Sequence, residues 1–574
     1  MKKYQTKIAL GCVAIYLTLA CGPSENQNKL SVPILGLLSS TQETTTSPTP
    51  EQLALSNASQ RSRMDSAFAA ENDGSFSFDD QVAFTSYDGT KITGNLFQPK
   101  SGVGPFPAII FVNSWALNEY EYIVPAAKLA KKGYVVLSYN TRGFGTSQGK
   151  INVAGPKDME DLSSAIDYLE RVAPVNDNIG IAGISYGAGI SLLGVTKEPR
   201  IKTAVAMSGW GSLPDSLYGN QTPRLVWGLL LIGSGYLTGR MDPIIAENFQ
   251  KLLDNRDVQS VLNWAGDRSP STYVSALNAT GKPVYISSNS QDNLFQPNQI
   301  LNYFQKLTVP KKLDLNNGIH ATAEIGGVLG LQNYVWTNTY DWFDYWLKGI
   351  QNGIMTKPRV SIQKRHVTER VFYNTWPIQN QVNRTFFLKP MGMFNLTPGS
   401  ISTSNNSSNT SNTLIAGATI ATTGVPLLSE ILDGAVSIPV KTNVNLIDRK
   451  NAMVYLSDSL ANTLKVRGKV TYKGRINSAV SRPHFVVYLY EVDSWGTGTL
   501  ITHGTSTLTV SSGRDADLTL DLQAVAHDFP KGTRLGLAID NVDPMYANPY
   551  PLLTYVNQFR HSSQSSSTLT IQSE

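Results

Sequence analysis

Between about residues 76 and 355 short apolar runs alternate with helix-length amphipathic segments, and this alternation constrains the fold more than any other feature of the chain. Val82–Ser86 and Lys91–Phe97 are strand-like and are joined through Asp88-Gly89, a strong signal for a tight hairpin. Pro107–Val112 and Tyr134–Tyr139 are continuous apolar runs, as strands covered on both faces require. The helical stretch between them ends at Lys131-Lys132-Gly133, cations and a glycine standing where a helix stops. Met159, Leu162, Ile166 and Leu169 recur at helical spacing, and strand-like runs resume at Ile179–Ala182, Lys202–Met207, Pro283–Ser287 and Lys312–Leu315. The pattern predicts an α/β domain over 76–355, a mostly parallel sheet with helices on both faces. Over 210–281 the alternation lapses. The apolar run Leu225–Leu231 and several helical patterns there predict a helical insertion near the strand ends, either a cap over a pocket or a packing excursion.

From about 356 to 574 the reading changes to all-β. Phe485–Tyr490, Leu518–Leu522 and Thr533–Ile539 are short strand-like runs with turn residues between them, and helical periodicity is scarce. A sandwich is expected, serving either to bind carbohydrate or to buttress the first domain. The Ser/Asn/Thr-rich block Ser400–Asn412 is expected to be a flexible loop.

The first twenty residues have a basic start and an apolar run, ending in Leu17-Thr18-Leu19-Ala20-Cys21. This resembles a bacterial lipobox, in which the cysteine is diacylated and becomes the mature N-terminus. Residues 1–20 are therefore expected to be a lipoprotein signal peptide and 21–75 a flexible tether centred on Thr44–Pro50. The corresponding location is the bacterial cell envelope, with the exported chain lipid-anchored at Cys21 to a membrane whose leaflet is unassigned.

Composition removes other classes. Lys2, Lys3 and Lys7 supply three of the formal +5 charges, so the remaining body is near neutral and gives no electrostatic reason to expect nucleic acid as a partner. Both cysteines, Cys12 and Cys21, are N-terminal, leaving no disulfide or thiolate nucleophile in the body. The six histidines form no HExxH pair or local cluster, so neither a metal nor any other cofactor is expected.

Gly183-Ile184-Ser185-Tyr186-Gly187 is a G-x-S-x-G, and Gly145-Thr146-Ser147-Gln148-Gly149 is another. Context separates them. A nucleophile elbow needs a strand directly before the serine and a helix directly after it, with glycines relieving a crowded turn. Ser185 follows Ile179–Ala182 and precedes Ala188–Val195, whereas Ser147 runs on into Gly149, Val153 and Gly155-Pro156. Ser185 is the expected nucleophile and Ser147 a loop residue.

A serine hydroxyl needs a base in reach and a third group to orient that base. His320, in the loop after the last strand, is the one histidine between Ser185 and the end of the α/β region. Asp292, in a loop off the strand Pro283–Ser287, is the favoured acid, with Asp314 the alternative. The oxyanion donors are expected to be the backbone N–H of Tyr186 and a group on the loop Asn113-Ser114-Trp115, with Trp115 first and Ser114 second.

These residues and their surroundings resemble the family joining Xaa-Pro dipeptidyl-peptidases and cocaine-esterase-like acyl hydrolases. The matching pieces are Arg142–Ser147, Gly183–Gly187, Trp342–Gly349, Leu489–Asp493, Thr502–Gly504 and Pro530–Arg534, spanning about 80–560. The resemblance implies an α/β-hydrolase fold with a Ser-Asp-His triad, followed by a C-terminal jelly-roll sandwich. It also implies a tyrosine hydroxyl in the oxyanion hole where this chain has Trp115, so an indole or backbone N–H must substitute.

The resulting expectation is an exported serine hydrolase of acyl bonds, acting on a small-molecule ester in preference to a short Xaa-Pro peptide. The rival is a non-enzymatic surface protein that binds through its sandwich.

Overall fold

The structure, a computed structural model, describes residues 48–551 and 553–574 except 406–408, 418–420 and 422. Residues 1–20, Cys21 and the expected tether as far as residue 47 lie outside the described residues. The tether expectation fails at its C-terminal end, because Pro50–Glu71 is a helix. Thr49 caps it reciprocally with Gln52, and Pro50 occupies the first turn, where its missing N–H costs nothing. Leu53, Asn57, Gln60, Met64 and Phe68 recur at helical spacing and are buried. Two of these five are amides and Leu55 points outward, so the helix carries almost no apolar stripe to read.

The first sheet has ten strands: β1 (Phe76–Thr85), β2 (Lys91–Pro99), β3 (Phe106–Val112), β4 (Val135–Tyr139), β5 (Val175–Ile184), β6 (Ile201–Met207), β7 (Val284–Asn289), β8 (Lys311–Asn316), β9 (Val360–Gln363) and β10 (Arg370–Tyr373). Their order across the sheet is β1-β2-β4-β3-β5-β6-β7-β8-β9-β10. From β4 to β9 neighbours are parallel, while β1, β2 and β10 pair antiparallel at the edges. The boundary expected at 355/356 falls just before the last two strands of this sheet. The chain re-enters the first sheet through β9 and β10, which are too short to register as continuous strand patterning.

The order places β4 on one side of β3 and β5 on the other, so the chain reverses its direction of travel across the sheet at β3. A crevice opens at such a switch point, outside the carboxyl ends of the strands. The loop Asn113–Leu117 and Ser185 stand at the ends of β3 and β5, on that crevice. Between β6 and β7 the chain forms helices Leu213–Tyr218, Leu225–Thr238, Pro243–Leu253, Val258–Gly266 and Val274–Thr280, which fill the insertion.

The remaining strands form a β-sandwich domain built around the long strand Leu464–Ser478, which pairs with four others. In the strand His484–Val492, Phe485, Val487 and Leu489 point into the sandwich core, and Val486, Tyr488 and Tyr490 pack toward the first domain. Burial on both faces follows from the two-residue period of a strand trapped between two cores. Two ends of the block expected to be a flexible loop are strands, Gly399–Ser402 and Thr410–Ile415. Ile401 and Leu414 point inward there while Ser, Thr and Asn take most of the outer positions. Among the described residues no helix is long and apolar enough to cross a membrane.

Candidate active site

Ser185 lies at the junction of β5 and the helix Tyr186–Lys197, with φ 56° and ψ −113°. Such a conformation costs a non-glycine residue about 1–3 kcal/mol and needs surroundings that impose it. The flanking glycines supply them. A β-carbon at Gly183 would lie 2.6 Å from the carbonyl carbon of Gly187, and one at Gly187 would lie 2.1 Å from the Val112 carbonyl oxygen in β3. The Ser185 N–H donates to the Met207 carbonyl at 2.8 Å, pinning the turn to β6.

His320 Nε2 is 2.7 Å from Ser185 Oγ, and His320 Nδ1 is 2.8 Å from Asp292 Oδ2. A carboxylate accepts only, so Nδ1 carries the proton, Nε2 is the acceptor and the serine hydroxyl donates to it. Asp292 Oδ1 accepts the N–H groups of Leu294 at 2.9 Å and Phe295 at 2.8 Å. The carboxylate is therefore buried but held by three donors. Trp227 and Phe295 flank the imidazole edge-on, at centroid separations of 5.6 and 5.1 Å.

The alternative acid, Asp314, is elsewhere. It lies inside β8, where its Oδ2 accepts from the Tyr285 hydroxyl at 2.5 Å and Asn338 Nδ2 at 2.9 Å. Ser147 is also committed. Its hydroxyl donates to the Asn140 carbonyl at 2.9 Å and accepts the Thr93 N–H at 2.9 Å, fully buried.

Of the oxyanion donors expected, the structure leaves the backbone N–H groups and engages the side chains. The Trp115 indole N–H donates to the Leu231 carbonyl at 2.9 Å, so it ties the β3 loop to the insertion and is not free for a ligand. Ser114 is spent as well: its N–H and hydroxyl both bond the Glu121 carboxyl, at 2.7 and 2.6 Å. The backbone N–H groups of Trp115 and Tyr186 have no hydrogen-bond partner among the described residues. Tyr186 opens its helix, where an N–H has no intrahelical acceptor. Its phenol points away and donates to Asp158 at 2.8 Å. Burial, with the charge of Asp161 adding, pushes the Asp158 carboxyl up to about 7. Arg142 bonds Asp161 through two nitrogens, at 2.7 and 2.6 Å, which fixes the Arg142–Ser147 segment beside the elbow.

A cavity opens onto Ser185 and Tyr186 beneath the insertion. Trp115, Leu231, Ile245, Phe249 and Trp264 are among its apolar walls, so the insertion does cap a pocket. Sequence reasoning missed the polar members of the wall, Arg224 and Asn248. It also missed the helix Leu428–Val436, which leaves the sandwich to meet the loops carrying Asp292 and His320. Asn293 donates to Glu430, Gln291 Nε2 donates to Asp433 at 2.6 Å, and the Gly318 N–H donates to Gln291 Oε1 at 3.0 Å. Against the upward push of burial, the Arg365 guanidinium holds the Asp433 carboxyl down at about 2. Short helical segments inside a β domain leave little periodic signal. Among the described residues no group of three His, Cys, Asp or Glu is arranged to hold a metal ion.

Comparison with known proteins agrees with this architecture. Residues 88–322 match the model of the X-Pro dipeptidyl-peptidase (S15) family, and 352–556 match that of the X-Pro dipeptidyl-peptidase C-terminal non-catalytic domain. A "Putative Xaa-Pro dipeptidyl-peptidase" of Bacillus anthracis is 24% identical over 276 residues, 43% of each chain. Dipeptidyl aminopeptidase BIII of Pseudoxanthomonas mexicana is 26% identical over 250 residues, 40% of this chain and 33% of that protein. The match thus spans less than half the length of either relative. Among solved structures, a CocE/NonD family hydrolase from Staphylococcus aureus superposes with a TM-score of 0.66 at 13% identity, covering 87% of this chain and 94% of that one. An α-amino acid ester hydrolase gives a TM-score of 0.66 at 14% identity, covering 88% and 97%. At that identity the likeness establishes the α/β-hydrolase fold with its appended sandwich and nothing finer. With both halves of the chain matched, in order, by the models of one family's catalytic and C-terminal domains, the chain belongs to the X-Pro dipeptidyl-peptidase (S15) family.

Proposed function

We propose that the protein hydrolyses acyl bonds through an acyl-enzyme on Ser185, and that carboxylic esters are its better substrates. The observation that carries this reading is the unbroken hydrogen-bonded run from Ser185 Oγ through His320 to Asp292, opening onto an apolar cavity. Ser185 Oγ attacks the carbonyl carbon as His320 Nε2 takes its proton. Asp292 holds the tautomer and stabilises the imidazolium. The N–H groups of Tyr186 and Trp115 serve the oxyanion, and His320 returns the proton to the leaving group. Water then repeats the sequence on the acyl-enzyme and restores the serine.

The relatives' names favour a second reading, a dipeptidyl-peptidase. Such an enzyme must clamp a free α-amine, which calls for a carboxylate in the substrate cavity. Among the described residues no Asp or Glu lines it. Esters need no such clamp and have better leaving groups. Hydrolysis of short-chain or aromatic esters should exceed that of an Ala-Pro anilide by at least tenfold in kcat/KM, about 1.4 kcal/mol at the transition state. Equal or better cleavage of the anilide, lost when its N-terminus is blocked, would make the peptidase reading primary.

We also propose export and lipid anchoring at Cys21, supported by the sequence Leu17–Cys21 alone. Radiolabelled palmitate should enter the wild type and not Cys21→Ala; label persisting in the variant removes the claim.

A further inference from the structure

Arg224 is a buried cation without a counter-ion. It is 1% exposed, yet no carboxylate bonds it among the described residues. Its Nε donates to the Ser216 carbonyl at 3.2 Å, and its guanidinium lies 5.2 Å from the centre of the Tyr546 ring. Nη1 and Nη2 have no partner. The other arginines buried to this degree are treated differently: Arg142 is paired with Asp161 and Asp88, Arg365 with Asp433, and Arg467 with Asp528. Arg268, also buried, has no carboxylate either, but gives its nitrogens to the carbonyls of Asn152 and Trp264, so Arg224 is the one buried arginine among the described residues with both terminal nitrogens unpartnered. A buried unpaired charge is costly, so its retention calls for a partner from outside the chain.

The position of Arg224 says what that partner is. Arg224 lines the cavity that contains Ser185, and it caps the helix Leu225–Thr238. Trp227, three residues further along, has its ring against the His320 imidazole. Three residues of helix rise about 4.5 Å, so Arg224 stands one turn beyond the side chain that touches the catalytic base. Asn248, on the same wall, has a second unpartnered donor in its Nδ2. The cavity is thus apolar around the nucleophile, with free N–H donors and no acidic side chain on its wall.

We propose that Arg224 binds a carboxylate on the substrate, so that the preferred substrates are esters whose cavity-filling group ends in a carboxylate. This deepens the acyl-hydrolase reading and rests on it. A guanidinium with two free nitrogens matches a carboxylate in a fork-to-fork geometry, and desolvation within an apolar pocket strengthens the pair.

Matched ester pairs test the proposal on both sides of the scissile bond. On the acyl side, 4-nitrophenyl hydrogen adipate is compared with its methyl-capped diester. On the leaving-group side, the butyrate of 4-hydroxybenzoate is compared with that of methyl 4-hydroxybenzoate. In one of the pairs the acid should be preferred at least tenfold in kcat/KM. That preference should fall at least tenfold in Arg224→Met and be partly kept in Arg224→Lys. Absence of preference in both pairs overturns the proposal, as does a preference that survives Arg224→Met. Should Arg224→Met not fold, judged by fluorophosphonate labelling of Ser185, the wild-type pairs and Arg224→Lys decide by the same criteria. Neutral esters turned over without any acid preference refute this inference alone. Failure to hydrolyse any ester, with no labelling of Ser185, refutes the underlying reading instead.

Discussion

Gly434 of the sandwich domain sits directly on Gly318 of the catalytic domain: a β-carbon at Gly434 would lie 2.4 Å from the Gly318 α-carbon. Gly318 is two residues before His320. The helix Leu428–Val436 thereby meets the loop of the base at backbone distance, while Glu430 and Asp433 hold the two residues that flank Asp292. The second domain is part of the frame that fixes His320 and Asp292.

Gly434→Val tests this directly. The added side chain has no room without displacing backbone, so the His320 loop must shift. The expected outcome is a fall of at least tenfold in kcat/KM, with slower fluorophosphonate labelling of Ser185. Circular dichroism should report both domains still folded. Undiminished labelling would mean that the sandwich helix is not needed to place the base.

The two G-x-S-x-G serines make opposite predictions. Ser185→Ala should abolish turnover with little change in Tm. Ser147→Ala should retain turnover but lose stability, because it strands the buried Thr93 N–H and Asn140 carbonyl, a cost of about 1–3 kcal/mol. Thermal unfolding beside ester turnover separates the two roles.

Trp115→Phe distinguishes the two oxyanion donors that a tryptophan offers. It removes the indole bond to Leu231 and keeps the backbone N–H. The account expects a loss in kcat below about tenfold. A loss of about 10²–10³, the cost of deleting an oxyanion donor, would show that the indole serves the transition state after all.

Acid should destabilise the fold through its buried histidines. Burial pushes His484 and His503 down to about 3, and His561 down to about 4. The unfolded chain therefore binds more protons than the native one between these values and the ordinary histidine range near 6.5, so stability falls as pH falls through that window. The buried carboxyls run the other way: Glu119, Glu121 and Asp158 are pushed up to about 7, so their contribution declines as pH rises from about 4 toward 7. Urea unfolding of His503→Gln between pH 4 and 6.5 should show about one proton less taken up per molecule than wild type. An unchanged pH slope would mean that His503 is not neutral in the native state.

Legibility of the site in the sequence follows from which residues carry local context. Ser185 and His320 stand at strand ends, and strands covered on both faces announce themselves as apolar runs. Their positions could therefore be chosen from the sequence, and the structure brings them within hydrogen-bond distance. Asp292 and Asp314 were separable only by whether each falls beyond a strand or inside one, and the structure places Asp314 against Tyr285 and Asn338. Other features had no local signature. The N-terminal helix buries amides where a stripe would be apolar, and β9 and β10 are four residues each. The use of the Trp115 indole depends on Leu231, a partner 116 residues away. Arg224 reads as one more cation until its lack of a counter-ion is seen in three dimensions.

The central claim, that Ser185 is the nucleophile of an acyl hydrolase driven by His320, is tested most directly by mapping the site of a fluorophosphonate adduct. Mass spectrometry of the labelled, digested protein should place one adduct on the peptide containing Ser185, with none in Ser185→Ala and strongly slowed labelling in His320→Ala. An adduct on a different serine, or ester hydrolysis that survives Ser185→Ala, would contradict the account.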